Sequence, residues 1–599
     1  MRYDKIAPGL MTLVEDFQSG DAAALEAHSR IFGVIRSQTT AIPKTVVFVR
    51  ADEEADFSAL AQKSIVVNQK KGKFRTAYLP LDRLEELSED EAVQRIYPTR
   101  YLKPSMDVAS ALVHVPDFRS ALSVDGSGVV IGIIDSGIDG QHPAFNGRIH
   151  SVWDQTVQGF GVQEGSYGFE LTGTKVVRAR DTNGHGTHVA GICAGNDQVY
   201  GGVAPGVTLV VVRTDFLNAH IADGIRYVFR VAKELGLPAV VNLSLGGHLD
   251  AHDGSDPLSR IIDDESGPGR IVCCAAGNEG DDDIHARVTV KANDRVEIPF
   301  RVPSLLVNGQ SVTPTVLLNG WYSGADELDI AVQSPRGQIT PFQSVIKGAD
   351  HTKPYMLPGA RIRLSTPEPS RENGDHQFIA DIHHPTQPRG PENSGVWKLH
   401  LRAKTLADQF AGVRVDVWAL DDGGNAVTFR GSAVSDDMKI GSPGSSESAV
   451  TVASFTCRIQ WTDVQGFMRQ VEMQNSTISS FSSEGPLRNG NEKPDVAAPG
   501  AMIVSAKSSA SSVDPSWEVD SGNRVNAGTS MACPFVSGVV ALLLQLEGKK
   551  GNVLDPDEVK RWLYSAARIP NGSSGGFDRK WGKGLIDLDV LKAHFTATA

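Results

Sequence analysis

Hydrophobic positions fall into three successive patterns along the chain. Residues 1 to about 35 carry Leu10, Met11, Leu13, Val14 and Phe17 at helical spacing, which predicts a helix. From Lys44, TVVFVR, SIVVNQ and FRTAYLPL read as strands, ADFSALAQK and LDRLEEL as short helices, and AVQRIYPTRYL as extended chain. This β-α-β-β-α-β order predicts a small α+β domain of the split-βαβ, ferredoxin-like kind. Lys103-Pro104-Ser105 interrupts it as a linker.

Beyond the linker the apolar runs become unbroken. VVIGIID (129–135), LVVVR (209–213), AVVNLSLGG (239–247) and IVCCAAGNEG (271–280) have the pattern of strands covered on both faces. The stretch IADGIRYVFRVAKE between the second and third is amphipathic. Strands alternating with helices predict an α/β domain, a doubly wound, mostly parallel sheet. From Asp283 to Ser446 the pattern becomes strict alternation in short segments such as RVEIPFRV, LDIAVQSP and VRVDVWAL, punctuated by Gly, Pro, Asn and Asp. That predicts an all-β sandwich. AVTVAS (449–454) resumes the first domain; Leu554–Ala567 is expected to form its final helix and GKGLIDL its last strand. The expected divisions are 1–35, a helical extension; 36–104, the small α+β domain; 105–282 and 447–599, two parts of the α/β domain; and 283–446, an inserted sandwich.

With 599 residues, several domains are required. The net charge of −13 argues against nucleic acid as the main partner. No early apolar segment of signal-peptide type is present, and the apolar run Val536–Leu546 is too short to span a bilayer, so no membrane partner and a cytoplasmic location are expected. Five cysteines without CxxC spacing suggest reduced thiols rather than a disulfide framework or a zinc site.

Chemistry concentrates at the ends of the predicted strands. Asp135 closes the first buried strand and precedes Ser136-Gly137, and ligands gather at such strand ends. In Asp181-Thr182-Asn183-Gly184-His185-Gly186-Thr187-His188, two glycines flank His185 ahead of a small-residue helix. A His185/His188 metal pair is the competing reading, without HExxH or a nearby acidic ligand to support it. Gly528-Thr529-Ser530 runs into a long apolar helix, which places Ser530 at a helix N-terminus, as a cap or as a nucleophile if a base is in reach. The order Asp…His…Ser supplies a base and an acid to orient it, and there is no G-x-S-x-G.

Four blocks, IGIIDSGIDGQHPAF, DTNGHGTHVAGICAG, NLSLGG with AAGNEG, and AGTSMACPFVSGVVALLL, resemble the subtilisin-like serine peptidases, or subtilases (family S8). The resemblance implies Asp135 as orienting acid, His185 as general base and Ser530 as nucleophile. It implies Asn278 as the side-chain donor of an oxyanion hole, Ser244, Leu245 and Gly246 as a strand that pairs with substrate, and Ala275, Ala276 and Gly277 as walls of the specificity pocket. It also implies a propeptide in residues 36–104, acting as folding helper and intramolecular inhibitor of a zymogen, with self-cleavage around 100–107. Residues 283–446 resemble, by position and strand pattern, the jelly-roll insertions of spore-germination subtilases. Ala144 stands where family members with the strong calcium site place an acid, and residues 196–202 are short for a calcium loop, so no cofactor is expected. The expected function is serine endopeptidase acting on protein or peptide substrates. A transpeptidase or peptide cyclase on the same triad, or an inactive binding scaffold, are the alternatives. Glu279 beside the pocket suggests basic P1 residues or a solvated rim charge.

Overall fold

The computed structural model describes residues 2–19, 34–35, 42–68, 72–99, 103–104, 112–307, 310–348, 351–383, 393–422, 424–570 and 576–597. In the N-terminal part, strand Lys44–Ala51 lies between Phe74–Pro80 on one side and Val93–Pro98 on the other, with Val66–Val67 beyond Phe74–Pro80, all antiparallel. The two short helices are a 3-10 turn, Ser58–Lys63, and the α-helix Leu84–Glu89. The N-terminal helix starts later than expected, with Pro8–Ser19 as its described part, and it is no separate extension. Leu10, Leu13 and Val14 pack into the same core as Val47, Val49 and Ile96. An apolar stripe reveals that a helix is covered on one face but not by what. Residues 20–33 of the expected helix lie outside the described residues.

Among the described residues the central sheet has eleven strands. Eight are parallel, in the order Leu585–Ile586, Val496–Ala501, Val450–Thr456, Arg270–Ala275, Ala239–Leu243, Val130–Asp135, Thr208–Arg213 and Ile149–Asp154. Helices Asn218–Leu235 and Pro257–Glu265 cover one face. His185–Ala194, Thr529–Lys549 and Pro556–Ala566 cover the other. All six residues of Val130–Asp135 are buried, as burial on both faces requires. At Gly132 an added Cβ would lie 2.4 Å from Val228 Cγ1, so glycine lets the helix press onto the sheet. Thr529–Lys549 is long and apolar enough to cross a membrane, yet 94% of its apolar window is buried within the protein, which makes it the core helix of this face. The C-terminal end carries one element more than expected. Helix Leu588–Ala597 follows strand Leu585–Ile586, and Leu588, Leu591 and Phe595 join the sheet's core.

Between Arg270–Ala275 and Val450–Thr456 stand two facing antiparallel sheets. One has six strands, running across the sheet from His285–Val290 to Thr352–Leu357; the other has four, from Glu327–Gln333 to Thr428–Phe429. Phe300, Trp397, Val415 and Phe429 fill the space between them. This sandwich also grips the N-terminal part. Arg363, wholly buried, pairs with Asp16 and faces Asp381 at 3.5 Å, and Arg50 and Tyr97 both meet Glu372.

Candidate active site

The sheet's winding reverses beside Val130–Asp135, since the chain adds Thr208–Arg213 on one side and Ala239–Leu243 on the other. In open α/β sheets such a reversal leaves a crevice at the strands' C-terminal ends. Asp135 ends its strand there, His185 opens helix His185–Ala194, and Ser530 sits in the first turn of Thr529–Lys549.

His185 Nδ1 lies 2.6 Å from Asp135 Oδ1, and both side chains are buried. The same oxygen accepts from the Ser136 N–H at 2.7 Å. A carboxylate only accepts, so Nδ1 carries the proton and the Nε2 lone pair is left to act as base. Close approach depends on glycine. At Gly186 a Cβ would stand 2.2 Å from Gly137 O and 3.1 Å from Asp135 Cβ, and Gly184 holds a left-handed φ of +88° at the helix start.

Asp181 fastens the two loops together, a role that sequence reasoning did not assign. Its carboxylate accepts from Gly184 N, Thr187 N, Thr187 Oγ1 and Ser136 Oγ at 2.7–2.9 Å. Ser136 Oγ in turn accepts from Gly186 N. His188, three residues on, is wholly buried with Nε2 3.2 Å from Arg524 O. Burial, and then Arg524, push its pKa well below the usual histidine value. Among the described residues no group of three His, Cys, Asp or Glu could hold a metal ion.

Pro534 shapes the first turn around Ser530. Lacking an N–H, it leaves the carbonyl four residues back, Ser530 O, without its helical partner. Ser244 Oγ supplies that hydrogen bond at 2.6 Å and is itself held by Asn242 Nδ2 at 2.9 Å. The Ser244 side chain therefore turns into the protein, beneath the nucleophile candidate, rather than toward a ligand. Leu245–Gly246, next in the chain, forms a strand that Lys103–Pro104 pairs with antiparallel: Leu245 opposite Pro104, Gly246 opposite Lys103.

Asn278 faces the same turn. Its Oδ1 accepts from Thr529 N at 2.8 Å and Thr529 Oγ1 at 3.1 Å. A backbone N–H can only donate, so the amide oxygen must face it; Nδ2 has no protein partner among the described residues and is left for a ligand oxygen. Ser530 and Asn278 line a cavity together with Leu245, Gly246, Ala275, Ala276 and Gly277. His248 and Glu279 also line it, and His248 was absent from the sequence reading.

The neighbouring thiols are no rival nucleophiles. Cys273 is pushed up to about 12, and Cys533, one helical turn beyond Ser530, is pushed well above its ordinary value, in both cases chiefly by burial. All five cysteines are free.

The Subtilase family model matches residues 126–351 and 390–584. Serine protease AprX of Bacillus subtilis is 24% identical over 498 residues, covering 80% of this chain and 70% of AprX. Subtilisin E of Bacillus subtilis is 27% identical over 327 residues, 51% of this chain and 76% of its own. Among solved structures, the CspB protease of Clostridium perfringens superposes with a TM-score of 0.64 at 22% identity, over 80% of this chain and 96% of that one.

Proposed function

Because the chain belongs to the subtilase family of serine proteases, we propose that it is a serine endopeptidase with Asp135, His185 and Ser530 as its triad. The observation that carries this reading is the 2.6 Å bond from His185 to a buried Asp135 at the C-terminal end of a central strand, with Ser530 in the first turn of a helix. His185 Nε2 takes the Ser530 hydroxyl proton as Oγ attacks the scissile carbonyl, while Asp135 stabilises the imidazolium. The oxyanion lies between Asn278 Nδ2 and the Ser530 N–H. A donor of this kind is worth about 10²–10³ in kcat. His185 then passes its proton to the leaving amine, and water, deprotonated by His185, hydrolyses the acyl-enzyme. The five unpaired thiols support a reducing, cytoplasmic setting. No metal enters this mechanism, and soluble protein or peptide is the substrate, not nucleic acid or membrane.

The N-terminal domain is the intramolecular inhibitor in this reading. Lys103–Pro104 occupies the strand position that a substrate would take along Leu245–Gly246. In this register Pro104 stands opposite Leu245, the neighbour of Ser244, whose hydroxyl bonds to Ser530 O. Self-cleavage is accordingly expected within residues 105–107. Intact mass tests this: wild type should split there and Ser530→Ala remain whole, and two full-length proteins would refute self-processing.

Asp223 makes the domain's grip depend on pH. It lies wholly buried between helix Asn218–Leu235 and the N-terminal sheet, accepting from Thr76 Oγ1 at 2.7 Å, Asn68 Nδ2 at 2.8 Å and Tyr167 OH at 2.9 Å. Burial pushes its pKa up to about 6, against Arg226 and His220 nearby, which pull it down. Freed of the domain it would return toward the ordinary carboxylate value, so the bound state prefers the protonated form. Association is then tightest in acid, weakens as pH rises from about 4 to about 6, and levels off above, a total of about a hundredfold. Dissociation of the cleaved domain measured from pH 4 to 8 should follow this curve, and Asp223→Asn should flatten it.

A further inference from the structure

Glu279 lines the P1-side cavity, the space for the residue preceding the scissile bond. Its Oε2 accepts from the Asn278 N–H at 2.7 Å and Ser483 Oγ at 3.1 Å, and lies 3.3 Å from His248 Nε2. His248 is 9% exposed and lines the same cavity. Its Nδ1 is 3.0 Å from His252 Nε2, and His252 Nδ1 is 3.2 Å from Asp250 O.

Donor and acceptor roles along this chain fix each other. Asp250 O only accepts, so His252 Nδ1 carries a hydrogen, and one further hydrogen joins His252 Nε2 to His248 Nδ1. His248 Nε2 then faces a carboxylate oxygen, and that contact is attractive only with a proton between them. The cavity is therefore lined by a His248–Glu279 ion-pair contact rather than by a carboxylate without a cationic partner.

The sandwich holds His248 in this place. Asn319 Nδ2 donates to His248 O at 3.0 Å and to Asp250 O at 2.8 Å. His252 stacks on Trp418 with ring centroids 3.8 Å apart and 3° between planes. Both partners belong to the six-stranded sheet of the sandwich.

We propose that His248 is a specificity-determining residue, held by the inserted sandwich so that it competes with the substrate's P1 side chain for Glu279. The proposal rests on the reading of Ser530 as nucleophile. A lysine or arginine at P1 must displace His248 to reach the carboxylate, whereas an uncharged side chain leaves the pair intact. Glu279 alone would select basic P1 residues; with His248 in place that selection is blunted.

The test compares kcat/KM for two fluorogenic peptides that differ only in P1, lysine against glutamine. His248→Gln should raise the lysine-to-glutamine ratio about tenfold, the scale at which close charge pairs couple. Asn319→Ala, which loosens the same loop from the sandwich, should raise it by a smaller factor. Combining His248→Gln with Glu279→Gln should abolish the rise. Each ratio is taken within one preparation, so a variant that folds in low yield still reports it. An unmoved ratio in both His248→Gln and Asn319→Ala, with Ser530 still labelled by a fluorophosphonate, overturns the role of His248 and leaves the nucleophile standing. Wild type that neither labels nor turns over either peptide overturns the reading beneath it.

Discussion

Ser530→Ala is expected to lower kcat for peptide hydrolysis by about 10⁶ while leaving the thermal midpoint within a few degrees of wild type. The two halves of this prediction have separate causes. Removing Oγ removes the only atom that forms the acyl bond, and no neighbour can replace it, because Cys533 is buried and its thiol pKa raised. The scaffold keeps its contacts. What holds Ser530 is its backbone carbonyl, which Ser244 caps, and alanine retains that carbonyl. Steady-state kinetics alongside a melting curve separates chemistry from folding.

Asp135→Ala is expected to cost about 10⁴ in kcat with little change in KM. Asp135 is wholly buried and holds His185 by a 2.6 Å bond. Without it, His185 loses both the acceptor that fixes its tautomer and the charge that stabilises the imidazolium in a dry site. Because kcat falls and KM does not, the signature differs from that of a damaged substrate cleft. A fall in KM-dependent binding with kcat preserved would assign Asp135 to the cleft instead.

How far the sequence shows these features depends on how local the responsible physics is. Runs such as VVIGIID name their own environment, because a strand covered on both faces has no polar position to spare. The three candidate residues were likewise legible, since glycine-bracketed His185, strand-ending Asp135 and helix-opening Ser530 each carry a local signature. Contacts made across long separations carry none. His248 meets Glu279 only because the sandwich fixes its loop through Asn319 and Trp418, more than 70 residues away. Asp181 lay within the quoted histidine block, yet its role emerges only when Ser136 is brought beside it. Ser244 belonged to the expected substrate strand, but its hydroxyl answers a demand created by Pro534 in another element. The helix Leu588–Ala597 was missed although Leu588, Leu591 and Phe595 repeat at helical spacing, because the reading stopped at the preceding short strand.

The N-terminal domain shows the same limit in its energetics. Its strand order follows from local patterning, whereas its attachment depends on Asp223 from the central domain and on Arg363 and Glu372 from the sandwich. Three parts of the chain therefore share one junction, and the sandwich contacts both the N-terminal domain and the loop bearing His248.

The triad claim meets its most direct test in fluorophosphonate labelling followed by peptide mass mapping, on wild type and on His185→Ala. The account predicts a single adduct on Ser530 in wild type and labelling slowed by several orders of magnitude in His185→Ala. An adduct on another residue, a folded and self-cleaved wild type that takes no label, or equal labelling of Ser530 in both proteins would contradict it.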